Sequence, residues 1–199
     1  MNFLAHLYLS GNNTNILIGN FIADGIRGNQ FTHLHPEIQQ GIVLHRHIDT
    51  YTDTHPIVRK SKRRLHERYG HYDGVIIDLF YDHFLAKNWN QYSAIPLDVY
   101  VKSVYKLLQE QVEILPTKTQ QFLPHLIAYD WLYNYQSFDG MKAILNGMNR
   151  RTHLKSNMDM AIEDLQNLHQ EFENDFTLFF KDLCIFSDRK LKKIQESTL

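Results

Sequence analysis

The chain has 199 residues, 43% hydrophobic and 22% charged, with a formal net charge of −1 when histidine is neutral. That balance excludes a largely disordered chain and leaves no global field that would draw the protein to nucleic acid or to a membrane. One cysteine, Cys184, excludes an internal disulfide and a Cys-based zinc site. The length suits a single domain, 1–199, with a polar C-terminus that could fray from about residue 187. The first eleven residues lack the basic start of a signal peptide, and no apolar run approaches the roughly 18 to 20 residues of a membrane span, so a cytoplasmic protein is expected.

Few glycines and prolines and many apolar side chains at spacings of three and four predict an all-α fold. A short apolar stretch, Met1 to Ser10, carries His6. Asn12 to Asn15 offers N-caps for a helix through Ile16, Ile18, Phe21 and Ile22, ending near Gly28. Pro36 opens a helix to about Thr52, and Asp53-Thr54-His55-Pro56 starts a basic helix that reaches Tyr69. The turn Gly70 to Gly74 leads into a helix from Val75 to about Tyr92. Pro96 opens an amphipathic segment with Val101, Val104, Leu108, Val112 and Leu115 on one face. Pro116 and Pro124 are expected to break the chain, before short helices at 126–135 and 138–149. Residues 157–193 read as one or two helices, with Ile162, Leu165, Leu168, Phe172, Phe176 and Phe179 inward.

Twelve histidines are the unusual count, and neutral imidazole is the commonest metal ligand. Three groups could carry chemistry. His45 and Asp49 lie four apart and share a helical face. Asp78 and Asp82 do the same, with His83 beside them. Asp24 sits in Gly19-Asn20-Phe21-Ile22-Ala23-Asp24-Gly25, where a carboxylate among apolar side chains would be costly unless paired or bound to a cation. Imidazole with carboxylate suits Mn²⁺ or Mg²⁺, and also Fe²⁺ or Zn²⁺. Each group has an ordinary reading too: a surface pair for His45 and Asp49, an Asp24–Arg27 pair, a satisfied buried Asp82–His83 pair, and a core role for His6.

The opening Met1-Asn2-Phe3-Leu4-Ala5-His6-Leu7, the stretch from Gly19 to Gly28, His45-Arg46-His47-Ile48-Asp49, Tyr81-Asp82-His83-Phe84-Leu85 and Leu145-Asn146-Gly147-Met148 together resemble the acyl carrier protein phosphodiesterase family. The resemblance spans roughly residues 1 to 150. It implies a single helical domain like the HD phosphohydrolases and a divalent cation, Mn²⁺ by preference. It also implies hydrolysis of holo-acyl carrier protein to the apo-protein and 4′-phosphopantetheine. The positions it carries over as catalytic and metal-binding are Asp24, His45, Asp82 and His83. His6, Asp49 and Asp78 are second choices, as ligands or as partners that orient them. Asp82-His83 reverses the wider superfamily's histidine-aspartate order.

A phosphodiester is an anion, so Arg27 or Arg46 could hold a non-bridging oxygen. Arg59, Lys60, Lys62, Arg63, Arg64 and Arg68 cluster within ten residues, either as a solvated face or as a docking strip for an acidic carrier protein. Two other functions keep part of this reading. One is a phosphodiesterase for a nucleotide or other small ester, and the other is a protein that binds carrier protein without cleaving it.

Overall fold

A computed structural model describes residues 1–196 and shows helices joined by short turns, with no strand among them. Eleven α-helices follow in order: α1 (Phe3–Tyr8), α2 (Thr14–Ile22), α3 (Pro36–Thr54), α4 (Pro56–Tyr69), α5 (Asp73–Lys87), α6 (Leu97–Glu110), α7 (Thr117–Ala128), α8 (Trp131–Asn134), α9 (Phe138–Arg151), α10 (Ala161–Asn167) and α11 (His169–Glu196). The all-α expectation holds. The last residues of the stretch expected to fray, 197–199, lie outside the described residues.

Local chemistry sets several boundaries. Asn13 caps α2, its side-chain oxygen accepting from the Asn15 and Ile16 backbone N–H groups at 3.0 and 3.1 Å. Pro36 and Pro56 open α3 and α4, where a missing N–H costs nothing. Helix α2 does not run to Gly28: it ends at Ile22 and gives way to a 3₁₀ turn, Ala23–Gly25. Pro124 sits inside α7 and does not break it. The break comes at Asp130, whose φ of 46° is left-handed and separates α7 from α8. The amphipathic face of α6 stops at Glu110, so Leu115 is buried beyond the helix and Val112 is exposed.

The core runs along α11. Phe172, Phe176, Phe179, Phe180 and Leu183 are all fully buried, and they meet Phe80, Tyr81 and Phe84 of α5. At about 25 cal/mol per Å² of apolar surface, each such ring is a major stabilising element.

Helices α2 and α3 share the most extensive helix–helix contact among the described residues. A Cβ on Gly19 would stand 2.0 Å from the Ile38 carbonyl oxygen, and one on Gly41 would stand 2.2 Å from that of Ile16. Only glycine lets these backbones touch. Gly41→Ala should therefore cost about 3 kcal/mol, because no rotamer relieves a clash with backbone, and lower Tm by roughly 10 °C. Gly147→Ala, whose Cβ would meet only the Trp131 ring edge at 4.0 Å, is the control and should leave Tm at or slightly above the wild-type value, alanine being the better helix former. Thermal melts of the two variants give the comparison, and equal Tm values would contradict the close-packing account.

Candidate metal centre

Asn20 lies on α2 one residue beyond Gly19, fully buried, and so faces both α1 and α3. Its amide nitrogen donates to the His6 carbonyl at 2.9 Å and to Ser10 Oγ at 3.0 Å. Its amide oxygen must then be the acceptor for His6 Nδ1 at 2.8 Å and His45 Nδ1 at 3.0 Å; the latter also donates to the Asn20 carbonyl at 2.8 Å. Both rings therefore carry hydrogen on Nδ1. They stack with centroids 4.0 Å apart and turn both Nε2 atoms to one side.

There they meet carboxylates. Asp49, one turn beyond His45 on α3, places Oδ1 at 3.2 Å from His6 Nε2 and Oδ2 at 3.0 Å from His45 Nε2. Asp24, on the 3₁₀ turn, places Oδ1 at 3.1 Å from His45 Nε2. It is exposed, not embedded in an apolar helix as the sequence suggests. His6 Nε2 is buried with no hydrogen-bond partner. A bare imidazole lone pair pointing at a carboxylate is repulsive, and a cation between them removes the repulsion. His6, His45 and Asp49 each offer a ligand atom, all within 4.8 Å of one another, so this trio fits a metal ion.

The electrostatics agree with the geometry. Burial, with the neighbouring His45, lowers the His6 pKa to about 4, leaving it neutral. Burial also opposes charge on His45, but Asp24 and Asp49 outweigh it and raise its pKa to about 9. Burial would raise Asp49, yet the two imidazoles hold it well below the usual carboxylate range.

Asp78 and Asp82 do different work. Asp78 accepts from the Met1 ammonium at 2.8 Å. Asp82 is fully buried and accepts the backbone N–H groups of Asn2, Leu4 and Ala5 at 3.2, 2.7 and 3.4 Å, which caps α1. His83 donates from Nδ1 to the Tyr135 carbonyl at 2.6 Å, and burial lowers its pKa to about 4. Asp82 and His83 thus stand apart from the His6–His45–Asp49 trio, whereas Asp78 shares its cleft.

That cleft has a volume of about 750 Å³. Its α1–α2–α3–α5 side carries His6, Asn20, Asp24, His45, Asp49 and Asp78, and its other side is Lys118, Phe122, Trp131, Met148 and Arg151 of α7 to α9. Arg27 and Arg46 are absent from its walls. Arg46 donates to the Gly28 carbonyl at 2.6 Å and covers the Phe31 ring, so it braces the loop after Asp24. Asn20, Lys118 and Arg151 escaped sequence reasoning. Only Asn20 had a signal there, as a lone amide inside an apolar helix.

Most of the basic strip on α4 is paired within the chain. Lys60, Ser61 and Arg64 all donate to the buried Asp175 of α11. Arg68 bonds Glu163 and Asp164, each at 3.0 Å, and Lys62 bonds Asp53 at 2.8 Å. Arg59 and Arg63 remain exposed, without an ion pair among the described residues.

Comparison with known proteins gives one answer. The acyl carrier protein phosphodiesterase family matches residues 1–183. A protein of Salmonella agona (strain SL483) named acyl carrier protein phosphodiesterase is 34% identical over 195 residues, covering 96% of this chain and 99% of the relative. One of Salmonella paratyphi A (strain ATCC 9150 / SARB42) with the same name is 33% identical over 192 residues, with the same coverage. No solved structure matches. No helix among the described residues is long and apolar enough to cross a membrane. On this evidence the chain belongs to the acyl carrier protein phosphodiesterase family.

Proposed function

We propose that the protein hydrolyses the phosphodiester between 4′-phosphopantetheine and a serine of holo-acyl carrier protein, releasing apo-protein and 4′-phosphopantetheine, in the cytoplasm. The observation that carries this reading is the His6–His45–Asp49 trio at the base of a cleft in a chain that matches the family almost end to end. Two imidazoles and a carboxylate suit a divalent transition-metal ion, and Mn²⁺ is the one that the family resemblance implies. Such an ion, when bound, polarises a phosphoryl oxygen and makes water more acidic.

The chain's own groups do the rest. Asn20 fixes both ring orientations and keeps both Nε2 atoms available. Asp49 would balance the charge of an ion held there. Asp24 reaches His45 from the solvent side, where it can take the proton given up by the attacking water. The water oxygen bonds to phosphorus, the bond from phosphorus to the serine oxygen breaks, and the proton that Asp24 takes from the water is returned to that oxygen as it leaves. The aromatic and sulfur-bearing wall of Phe122, Trp131 and Met148 offers contact area for the pantetheine arm.

Before an ion binds, His45 holds a proton between Asp24 and Asp49 up to about pH 9. The incoming ion displaces that proton, so affinity should rise with pH, roughly tenfold per unit between pH 6 and 8, and level off above about 9. His6 is already neutral there and releases none. Calorimetric Mn²⁺ titrations in buffers of different ionisation heat should show about one proton released at pH 7. Affinity independent of pH over this range would contradict the assignment of His45.

The activity itself is read by mass spectrometry of holo-carrier protein incubated with the protein and Mn²⁺. The expected result is loss of the whole phosphopantetheine group, abolished by a chelator. Asp24→Asn and His45→Ala should lower turnover by roughly two orders of magnitude or more with helical circular dichroism unchanged. An unchanged carrier-protein mass would reject the carrier-protein reading, and cleavage of small phosphodiesters alone would replace it.

A further inference from the structure

Some of the charges lining the cleft are paired within the chain and some are not. Asp53 holds Lys62 at 2.8 Å, Asp78 holds the Met1 ammonium at 2.8 Å, and Asp24 and Asp49 close on the imidazoles. Lys118 and Arg151 line the same cleft, and neither has an ion-pair partner among the described residues. Arg151 donates to the Met148 sulfur at 3.8 Å, along the cleft wall, its one side-chain hydrogen bond among the described residues.

Lys118 is placed against the local electrostatics. It stands in the first turn of α7, where N–H groups lack partners and the helix end is positive, and Pro116 supplies no side-chain cap. An acidic residue there would stabilise the helix. The same turn presses on the Asp24 loop: a Cβ on Gly25 would meet Pro116 Cβ at 3.4 Å and Thr119 Oγ1 at 3.5 Å. Lys118 thus lies in a helical turn packed against the loop that carries Asp24, and it lines the same cleft. Arg151 ends α9 on the same wall. The arginines that sequence reasoning favours for phosphate do not line this cleft, Arg46 being tied to backbone carbonyls.

We infer that Lys118 and Arg151 bind the phosphoryl group of the substrate, and of the product, on the α7–α9 wall of the cleft. The inference rests on the phosphodiester reading above. The guanidinium matches two phosphoryl oxygens at once, and the ammonium adds a mobile point charge. Cleavage turns a singly charged diester into a monoester with more negative charge, so both cations bind product more tightly than substrate.

The test pairs kinetics with binding. Lys118→Ala and Arg151→Ala should each lower kcat/KM on holo-carrier protein roughly tenfold to a hundredfold. Inhibition by inorganic phosphate should weaken by a similar factor, and calorimetry of Mn²⁺-loaded protein with inorganic phosphate should show the same loss. Mn²⁺ affinity and Tm should stay at wild-type values, which separates the effect from a structural one, and Lys118→Arg should restore much of the phosphate binding. Wild-type phosphate affinity and inhibition in both alanine variants would overturn the inference. A wild-type protein that leaves carrier protein intact yet binds phosphate through these cations would reject the carrier-protein reading alone.

Discussion

Helices α2 and α3 touch backbone to backbone where Gly19 meets Ile38 and Gly41 meets Ile16. The rest of the centre depends on that contact. It carries Asn20 to within hydrogen-bond reach of an imidazole from α1 and another from α3, and it brings the turn after α2 to the mouth of the same cleft. A side chain at either glycine would push the helices apart by more than the tolerance of a hydrogen bond, and the two rings would lose their shared acceptor. Packing and chemistry are here one constraint. The most extensively packed helix pair among the described residues is also the one that orients both imidazoles.

The four carboxylates near the N-terminal segment divide by what faces them. Asp78 and Asp82 face the Met1 ammonium and backbone N–H groups, and burial raises both, Asp82 to about 7. Their task is to anchor α1, and with it His6, against α5. Asp24 and Asp49 face imidazoles and are shifted down, so they stay charged at neutral pH. The second pair leaves negative charge beside the imidazoles, where a cation would be held. The first pair fixes the scaffold from which His6 projects.

Much of this was legible in the sequence. Helical spacing marks α6 and α11, the proline starts of α3 and α4 are read from single residues, and the i,i+4 relation of His45 and Asp49 is plain from their numbers. What was not legible depends on long-range contact. Asp82 and His83 look like a metal pair because they are adjacent, yet on a helix neighbouring side chains diverge by about 100°, and here one turns to the α1 backbone and the other to Tyr135. The α4 cations look like an open strip because their acidic partners, Asp164 and Asp175, lie about a hundred residues later. Lys118 and Arg151 carry no local signal at all, since the cleft wall that both line forms only in the fold.

The central claim is that one metal ion sits between His6, His45 and Asp49, with Asn20 behind the rings. The most direct measurement is anomalous diffraction at the manganese edge from crystals grown with Mn²⁺. The account predicts a peak bonded to Nε2 of both His6 and His45 and to an Asp49 oxygen, absent from crystals of His45→Ala. A peak at Asp82 and His83, or none in the cleft at saturating Mn²⁺, would contradict it.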